Sequence, residues 1–259
     1  MYNFVMPPDG MEPRKVDDVF RPQADLLRQR GYEVALVHDE VFREGGTLRG
    51  IPENATVIYR GWMVKVDEYR RFEDAVQSVG ASLLTDTNSY ALTHHLPNWY
   101  ANLAEFTAET VVIADADELL PTIKQLGWGS YFLKDFVKSL KVAGGSIVRT
   151  NSDAERWVEK MIEYRDALEG GICIRRVESF VPESEYRYFV LNGVPHGPDE
   201  RTIPAPVHAA AARISSRFFT VDVATTTDHR CRIVELGDGQ VSDLVGWPAE
   251  RFAEMWPAK

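Results

Sequence analysis

Cysteine is nearly missing, with 2 among 259 residues, Cys173 and Cys231. Both lie inside apolar, strand-like runs. They form neither a disulfide framework nor a metal knuckle, and each reads as a small buried hydrophobe. No apolar run approaches the ~20 residues that a membrane-spanning helix needs, so no membrane partner is expected. The opening stretch MYNFVMPPDGMEPRK has no basic segment ahead of an apolar one, so a secretory signal is not expected and a cytoplasmic location is the simplest reading. Internal repeats and low-complexity tracts are lacking too. Basic residues are in deficit, 29 Lys and Arg against 39 Asp and Glu, for a formal net charge of -10. A field of that sign repels polyanions, which disfavours nucleic acid as a partner of the chain as a whole while leaving room for a local basic pocket. No Ser-His-Asp or Cys-His arrangement suggests nucleophilic catalysis.

What the chain does have is ordinary globular material, 44% apolar and 26% charged, in a length that suits two packed lobes. The first hundred residues alternate strand and helix patterns. YNFVM is a short strand, Val19 to Arg30 has helical spacing stopped by Gly31, and YEVALV and ATVIYRG are strands. VDEYRRFEDAVQSVG is an amphipathic helix closed by Gly80, and ASLLT is the next strand. Such alternation implies a mostly parallel sheet covered by helices. Residues 88–108 form an aromatic-rich helical transition carrying His94, His95 and Pro97. Beyond it come GSYFLKDFV, a helix from Ala154 to Leu168, and the strands GICIRRV, YRYFVLNG, FFTVDVA and CRIVELG. This half is rich in antiparallel signals, and the boundary is expected near residues 95–110.

The most informative segment is FFTVDVATTTDHRCRIVELGDGQ. A tight hairpin turning at Asp228-His229 would set Asp222 directly opposite Glu235 on one face. Like charges so placed repel unless a divalent cation holds both. A one-residue slip would put them on opposite faces, leaving two unrelated surface acids. Asp238 follows in a turn bracketed by glycines, where a third oxygen ligand can return. Acids with no partner His or Cys fit magnesium carried with a nucleotide better than zinc. His229, on the turn itself, is assigned no role.

Two further segments are cationic. SYFLKDFVKSLKVAGGS carries Lys134 and Lys138, whose heads converge on one polyphosphate if the chain turns between them. Gly144-Gly145-Ser146 offers backbone N–H groups, although it is equally a common hairpin turn. In ICIRRVESFVPESEYRYFVLNG, Arg175, Arg176 and Arg187 interrupt apolar strands. They either pair with acids such as Glu178 and Glu185 or aim guanidinium forks at phosphate.

These segments occur in the order and with the separations of the ATP-grasp superfamily, and the chain most closely resembles the clade marked by two arginines and one lysine. The resembling stretches are YRGW (59–62), HHLPNWY (94–100), FLKDFVKS (132–139), GGICIRR (170–176), SEYRYFV (184–190), FFTVDVA and IVELGDGQVSDL (218–244). The resemblance implies a pre-ATP-grasp α/β lobe over residues 1–100. An ATP-grasp region over 101–259 follows, with two α+β subdomains that clamp ATP. On that resemblance the cofactor-binding set is Lys134, Lys138, Arg175, Glu178 and Arg187. The catalytic pair is Arg187 and Lys138, and the magnesium ligands are Asp222, Glu235 and Asp238. The asparagine usual two residues after the glutamate is Gly237 here, which makes Asp238 the candidate substitute. Arg176 stands where an acid is more usual.

The expected function is an ATP- and magnesium-dependent ligase that activates a small-molecule carboxylate as an acyl phosphate for capture by an amine or similar nucleophile. Such chemistry needs positioning and charge neutralisation rather than a protein nucleophile. The alternatives are a phosphotransferase on the same fold and a non-catalytic nucleotide-binding module. Arg60, at a strand end beside Trp62, either binds a substrate carboxylate or pairs with a surface acid.

Overall fold

A computed structural model describes residues 1–137, 146–165 and 169–257. Its elements run β1 (Tyr2–Met6), α1 (Arg21–Gln29), β2 (Glu33–Leu36), α2 (Asp39–Glu44), β3 (Thr56–Tyr59), α3 (Val66–Ser78), β4 (Ser82–Leu83), α4 (Thr87–His94), α5 (Leu96–Leu103), β5 (Thr110–Ile113), α6 (Leu119–Leu126) and β6 (Tyr131–Asp135). They continue with β7 (Ile147–Val148), α7 (Asn151–Arg165), β8 (Ile172–Arg176), β9 (Tyr186–Leu191), β10 (Val194–His196), α8 (Ala205–Arg213), β11 (Phe218–Thr225), β12 (Cys231–Asp238) and α9 (Ala249–Glu254). The sheets have the orders β2-β1-β3-β4, β10-β9-β11-β12 and β5-β8-β6-β7. No described helix is long and apolar enough to cross a membrane.

The chain divides into two compact units. The first comprises Met1–Thr93, Tyr186–Val221 and the chain from Gly237 on; the second comprises His94–Glu185 and Asp222–Leu236. β11 and β12 each contribute to both. The lobe expected over residues 1–100 is therefore one segment of a larger unit that recruits two later stretches.

In the first unit, β1 pairs in parallel with β2 and β3, and β3 with β4. Phe4, Val5 and Met6 are fully buried, as a parallel strand covered on both faces requires. Helix α3 buries Tyr69, Phe72, Ala75 and Val76, which recur at helical spacing. The Lys65 backbone N–H, just ahead of α3, donates to Glu68 Oε2 at 2.9 Å. The later stretches join through aromatics. Phe189, Phe218, Trp247, Phe252 and Trp256 share one core with Phe4, Phe20 and Tyr32. Trp256 meets Phe4 edge to face with centroids 5.0 Å apart. Strands β9 and β10 form a hairpin whose two-residue turn is Asn192-Gly193, both at positive φ (50° and 78°).

In the second unit, β5, β8, β6 and β7 pair antiparallel throughout. One face is apolar. Tyr131, Leu133, Ile172 and Ile174 bury against Leu119 and Ile123 of α6 and Ala154, Trp157 and Met161 of α7. Alternation along the strands sends the next residues to the other face. The register pairs Phe132 with Arg175 and Lys134 with Cys173, so Lys134 and Arg175 share that opposite face.

Candidate functional site

The face bearing Lys134 and Arg175 is where the second unit gathers its charges. The Lys134 side chain is only 4% exposed, yet its Nζ lies 2.5 Å from Glu235 Oε1, whose side chain is 40% exposed. A buried ammonium without a counter-charge costs several kcal/mol, so this pairing explains how the lysine is tolerated there. Arg175 is buried as well, donating from Nη1 to the Val234 carbonyl at 2.8 Å and from Nη2 to Thr107 Oγ1 at 2.7 Å. Its Nε is buried with no hydrogen-bond partner among the described residues. Desolvation lowers the Arg175 pKa, and the nearby Glu235 charge opposes that shift. Beside it, burial pushes the Cys173 thiol up to about 12, so this cysteine is the inert apolar filler its sequence context implies.

The acid pair is built differently from the expected two-residue turn. Thr226 N donates to Arg230 O and His229 N to Thr226 O, each at 2.8 Å, with His229 at φ 64°. That is a three-residue turn ending in a left-handed residue, which shifts the register by one. A second irregularity cancels the shift. Successive carbonyls of a regular strand point to opposite edges, but those of Ile233 and Val234 both point away from β11. The Ile233 carbonyl accepts from Thr107 Oγ1 at 2.8 Å and the Val234 carbonyl from Arg175 Nη1. One residue is thus inserted in β12 as a β-bulge. Beyond it, Gly239 N donates to Phe218 O, one step out of phase with the Thr226–Arg230 pair. The bulge therefore sets Glu235 across from the buried Asp222, a relation that places β-carbons about 5 Å apart.

The second unit also holds a cavity of about 520 Å³, lined by Glu109, Arg176, Glu178, Thr227, Arg230 and Arg232 among others. Glu178 accepts from Arg232 Nε at 2.9 Å through Oε1. Its other oxygen, Oε2, is buried with no hydrogen-bond partner among the described residues. A buried carboxylate oxygen in that condition is an acceptor in want of a donor. Arg176 points to solvent and pairs with Glu109 at 3.4 Å.

The remaining sequence-predicted residues have other surroundings. Arg187, half-buried on β9 in the first unit, donates from Nη1 to Asp243 O at 2.8 Å. Asp238, also in the first unit, is fully buried. Its Oδ1 accepts from Gln240 N at 3.0 Å and Nε2 at 3.2 Å, and its Oδ2 from Thr93 Oγ1 at 3.5 Å. Burial pushes its carboxyl pKa up to about 7, a setting that disfavours the anion a metal ligand must be. Lys138 and Gly144-Gly145 lie outside the described residues.

Arg60 corrects an expectation. It neither faces a substrate nor pairs with a surface acid. Its guanidinium is wholly buried, donating to Gln23 Oε1 at 2.9 and 3.1 Å and to the carbonyls of Gly239, Gln240 and Ser242 at 2.5, 3.2 and 2.9 Å. It also lies over the Phe252 ring, 4.7 Å from the centroid. Arg60→Met should destabilise the protein by roughly 3 kcal/mol or more, because several buried acceptors lose their donor at once. Urea unfolding measures this. A stability within ~0.5 kcal/mol of the parent would contradict the assignment.

Thr107 was not anticipated. It binds Arg175 and the Ile233 carbonyl together, and nothing in its neighbourhood of the sequence distinguishes it from any loop threonine.

A family profile described as an ATP-grasp domain, the third family of its clade, matches residues 125–255. No curated protein matches the chain. Solved structures do match over nearly the whole length. A RimK domain protein ATP-grasp from Sphaerobacter thermophilus aligns at 14% identity and TM-score 0.64, covering 97% of this chain and 98% of that one. The D-cycloserine synthetase DcsG aligns at 16% identity and TM-score 0.65, covering 98% and 97%. The ATP-grasp ligase PsnB, in complex with a variant of its minimal precursor, Mg and ADP, aligns at 14% identity and TM-score 0.58, covering 98% and 95%. At these identities the likeness establishes a shared fold, with mixed helices and sheets in this arrangement.

Proposed function

We propose that the chain, which belongs to this family of ATP-grasp domains, is an ATP- and magnesium-dependent ligase joining a small carboxylate to an amine or similar nucleophile. The observation that carries this reading is the charge group of the second unit. A buried lysine and a buried arginine flank Glu235, and the β12 bulge sets Asp222 across from it.

Each member has a role suited to its setting. Lys134 and Arg175 are the fixed cations for nucleotide phosphates, and the Arg175 Nε still lacks a partner among the described residues. Asp222 and Glu235 form an all-oxygen donor pair of the kind magnesium takes, holding the ion against phosphate oxygens and water. Bound there, magnesium offsets the charge that accumulates on a transferring phosphoryl group. Glu178, which lines the cavity and has a buried Oε2 without a partner among the described residues, is assigned the contact to a ribose hydroxyl. Arg187 as a catalytic arginine, Lys138 as its companion and Asp238 as a third ligand rest on the family resemblance alone.

In the reaction, a substrate carboxylate oxygen attacks the γ-phosphorus of ATP, the bond to the β–γ bridging oxygen breaks, and ADP leaves. The nucleophile then attacks the acyl carbon of the acyl phosphate, releasing inorganic phosphate and, for an amine, one proton. That DcsG is a synthetase and PsnB a ligase, the latter seen with Mg and ADP, supports the choice of ligation over simple phosphotransfer. The test is an ADP-release assay on the purified chain with magnesium, across amino acids and other small carboxylates paired with amines. Phosphorylated carboxylate accumulating without an amide would instead mark a phosphotransferase.

The Glu178 role has its own test. In Glu178→Gln, Arg232 fixes the amide oxygen at the Oε1 position, so an N–H replaces the Oε2 acceptor. ATP affinity should fall about tenfold, the difference between a charged and a neutral hydrogen bond, while 2′,3′-dideoxy-ATP affinity stays unchanged. Equal losses for both nucleotides would reject the ribose contact.

A further inference from the structure

We infer that the second unit carries a transition-metal site formed by His94, His95 and Glu169, separate in residues and in chemistry from the carboxylate pair. Among the described residues, these three offer one ligand atom each, all within 4.8 Å of one another. Two imidazoles and a carboxylate are the donors of zinc and its first-row neighbours, not of magnesium.

The chain goes to some length to bring the three together. Adjacent residues on a helix point about 100° apart. Here α4 ends at His94, and His95 is extended (φ -100°, ψ 120°) before α5 begins, with Pro97 in its first turn. Breaking the helix between the histidines turns their rings toward each other, with centroids 5.6 Å apart. Two backbone bonds then bring up the glutamate. Leu96 N donates to Phe136 O at 2.8 Å, and Phe136 N donates to Glu169 O at 3.3 Å. The Phe136 ring lies against the following residue, Gly170, at φ +84°, where an added β-carbon would be 2.2 Å from the ring. Glycine is therefore required at 170 for Glu169 to reach His95.

The separation of His95 and Glu169 suits a shared ion better than a direct bond. His95 Nε2 and Glu169 Oε1 are 3.4 Å apart. A charge-assisted hydrogen bond closes to about 2.7–2.9 Å. Two ligands of one tetrahedral zinc, each near 2.0–2.1 Å from it, stand roughly 3.3 Å apart. Burial fits as well. His94 is 5% exposed, while the side chains of His95 and Glu169 are 20% and 30% exposed, so the group is partly reached by solvent. Three protein donors among the described residues match the count of a zinc that also holds water or a substrate oxygen.

The test is cobalt(II) titration of the EDTA-stripped, full-length chain, with no nucleotide and no magnesium present. Visible d–d absorption reads the coordination, and zinc displaces the cobalt for the affinity. One equivalent should bind with the intense visible bands of a four- or five-coordinate site. Glu169→Gln and His95→Gln should each weaken binding at least tenfold, and Glu235→Gln should leave it unchanged. Circular dichroism establishes that the variants are folded. If one is not, the wild-type titration and the remaining variant still decide. Absence of saturable binding to the wild type would overturn the inference, as would undiminished binding in folded Glu169→Gln and His95→Gln. Loss of the cobalt signal in folded Glu235→Gln would also overturn it, by moving the metal to the carboxylate pair. None of these outcomes bears on ADP release, so the ligase reading stands or falls separately.

Discussion

Glu235→Gln is expected to reduce ATP turnover by about 10³-fold or more, equivalent to about 4 kcal/mol of barrier, while leaving the fold intact. The substitution keeps the side-chain shape and can still accept from Lys134. What it removes is half of the negative charge that Asp222 and Glu235 supply to magnesium. An all-oxygen magnesium site with few carboxylates has little to spare, because the ion otherwise retains its waters. At 40% exposure the Glu235 side chain is open to such an ion from the solvent side. The measurement is kcat for ADP formation against magnesium concentration, beside the wild type. If turnover persists within tenfold, or is insensitive to chelator in either protein, the acid pair is not the metal site.

Lys134→Ala should weaken Mg·ATP binding roughly 10- to 100-fold, the range for losing one charge-assisted hydrogen bond to phosphate in a buried setting. The ammonium is held by the β6–β8 register and paired with Glu235. It is therefore pre-positioned and has little side-chain entropy left to lose on meeting phosphate. Removing it also strips Glu235 of a paired cation, but that carboxylate is partly solvated and Arg175 still acts on it. The loss should therefore fall on nucleotide affinity more than on stability. Isothermal titration with a non-hydrolysable ATP analogue reads the affinity, and thermal melting reads the fold. Unchanged affinity in a folded variant would remove Lys134 from the phosphate contacts.

Much of this was legible in the sequence because the signals are local. Tyr69, Phe72, Ala75 and Val76 announce α3 by their spacing, and the apolar runs of β1, β3, β8 and β11 are short and bounded. The sites that resisted reading depend on contacts across the chain. Arg60 looks like a strand-end ligand binder until Gly239, Gln240 and Ser242 arrive to occupy it. Recruitment of the chain's last aromatics by Phe4 is equally invisible in a window of twenty residues. The Asp222–Glu235 pairing was expected from a tight turn. It arises instead from a longer turn and a compensating bulge, and the bulge is set by Thr107 and Arg175, far away in sequence. Strand β10 was overlooked although Asn192-Gly193 is a strong hairpin signal, because Val194–His196 is too short to show alternation.

The account's central claim is that ATP activates a carboxylate by phosphorylation. Isotope transfer tests it most directly. The chain is supplied with Mg·ATP, an amine pool and a mixture of small carboxylates labelled with ¹⁸O in the carboxyl group, and the phosphate released is weighed by mass spectrometry. An acyl phosphate intermediate delivers one ¹⁸O atom to each inorganic phosphate formed, with ADP in equal amount. Label appearing in AMP, or unlabelled phosphate accompanying amide formation, would contradict it.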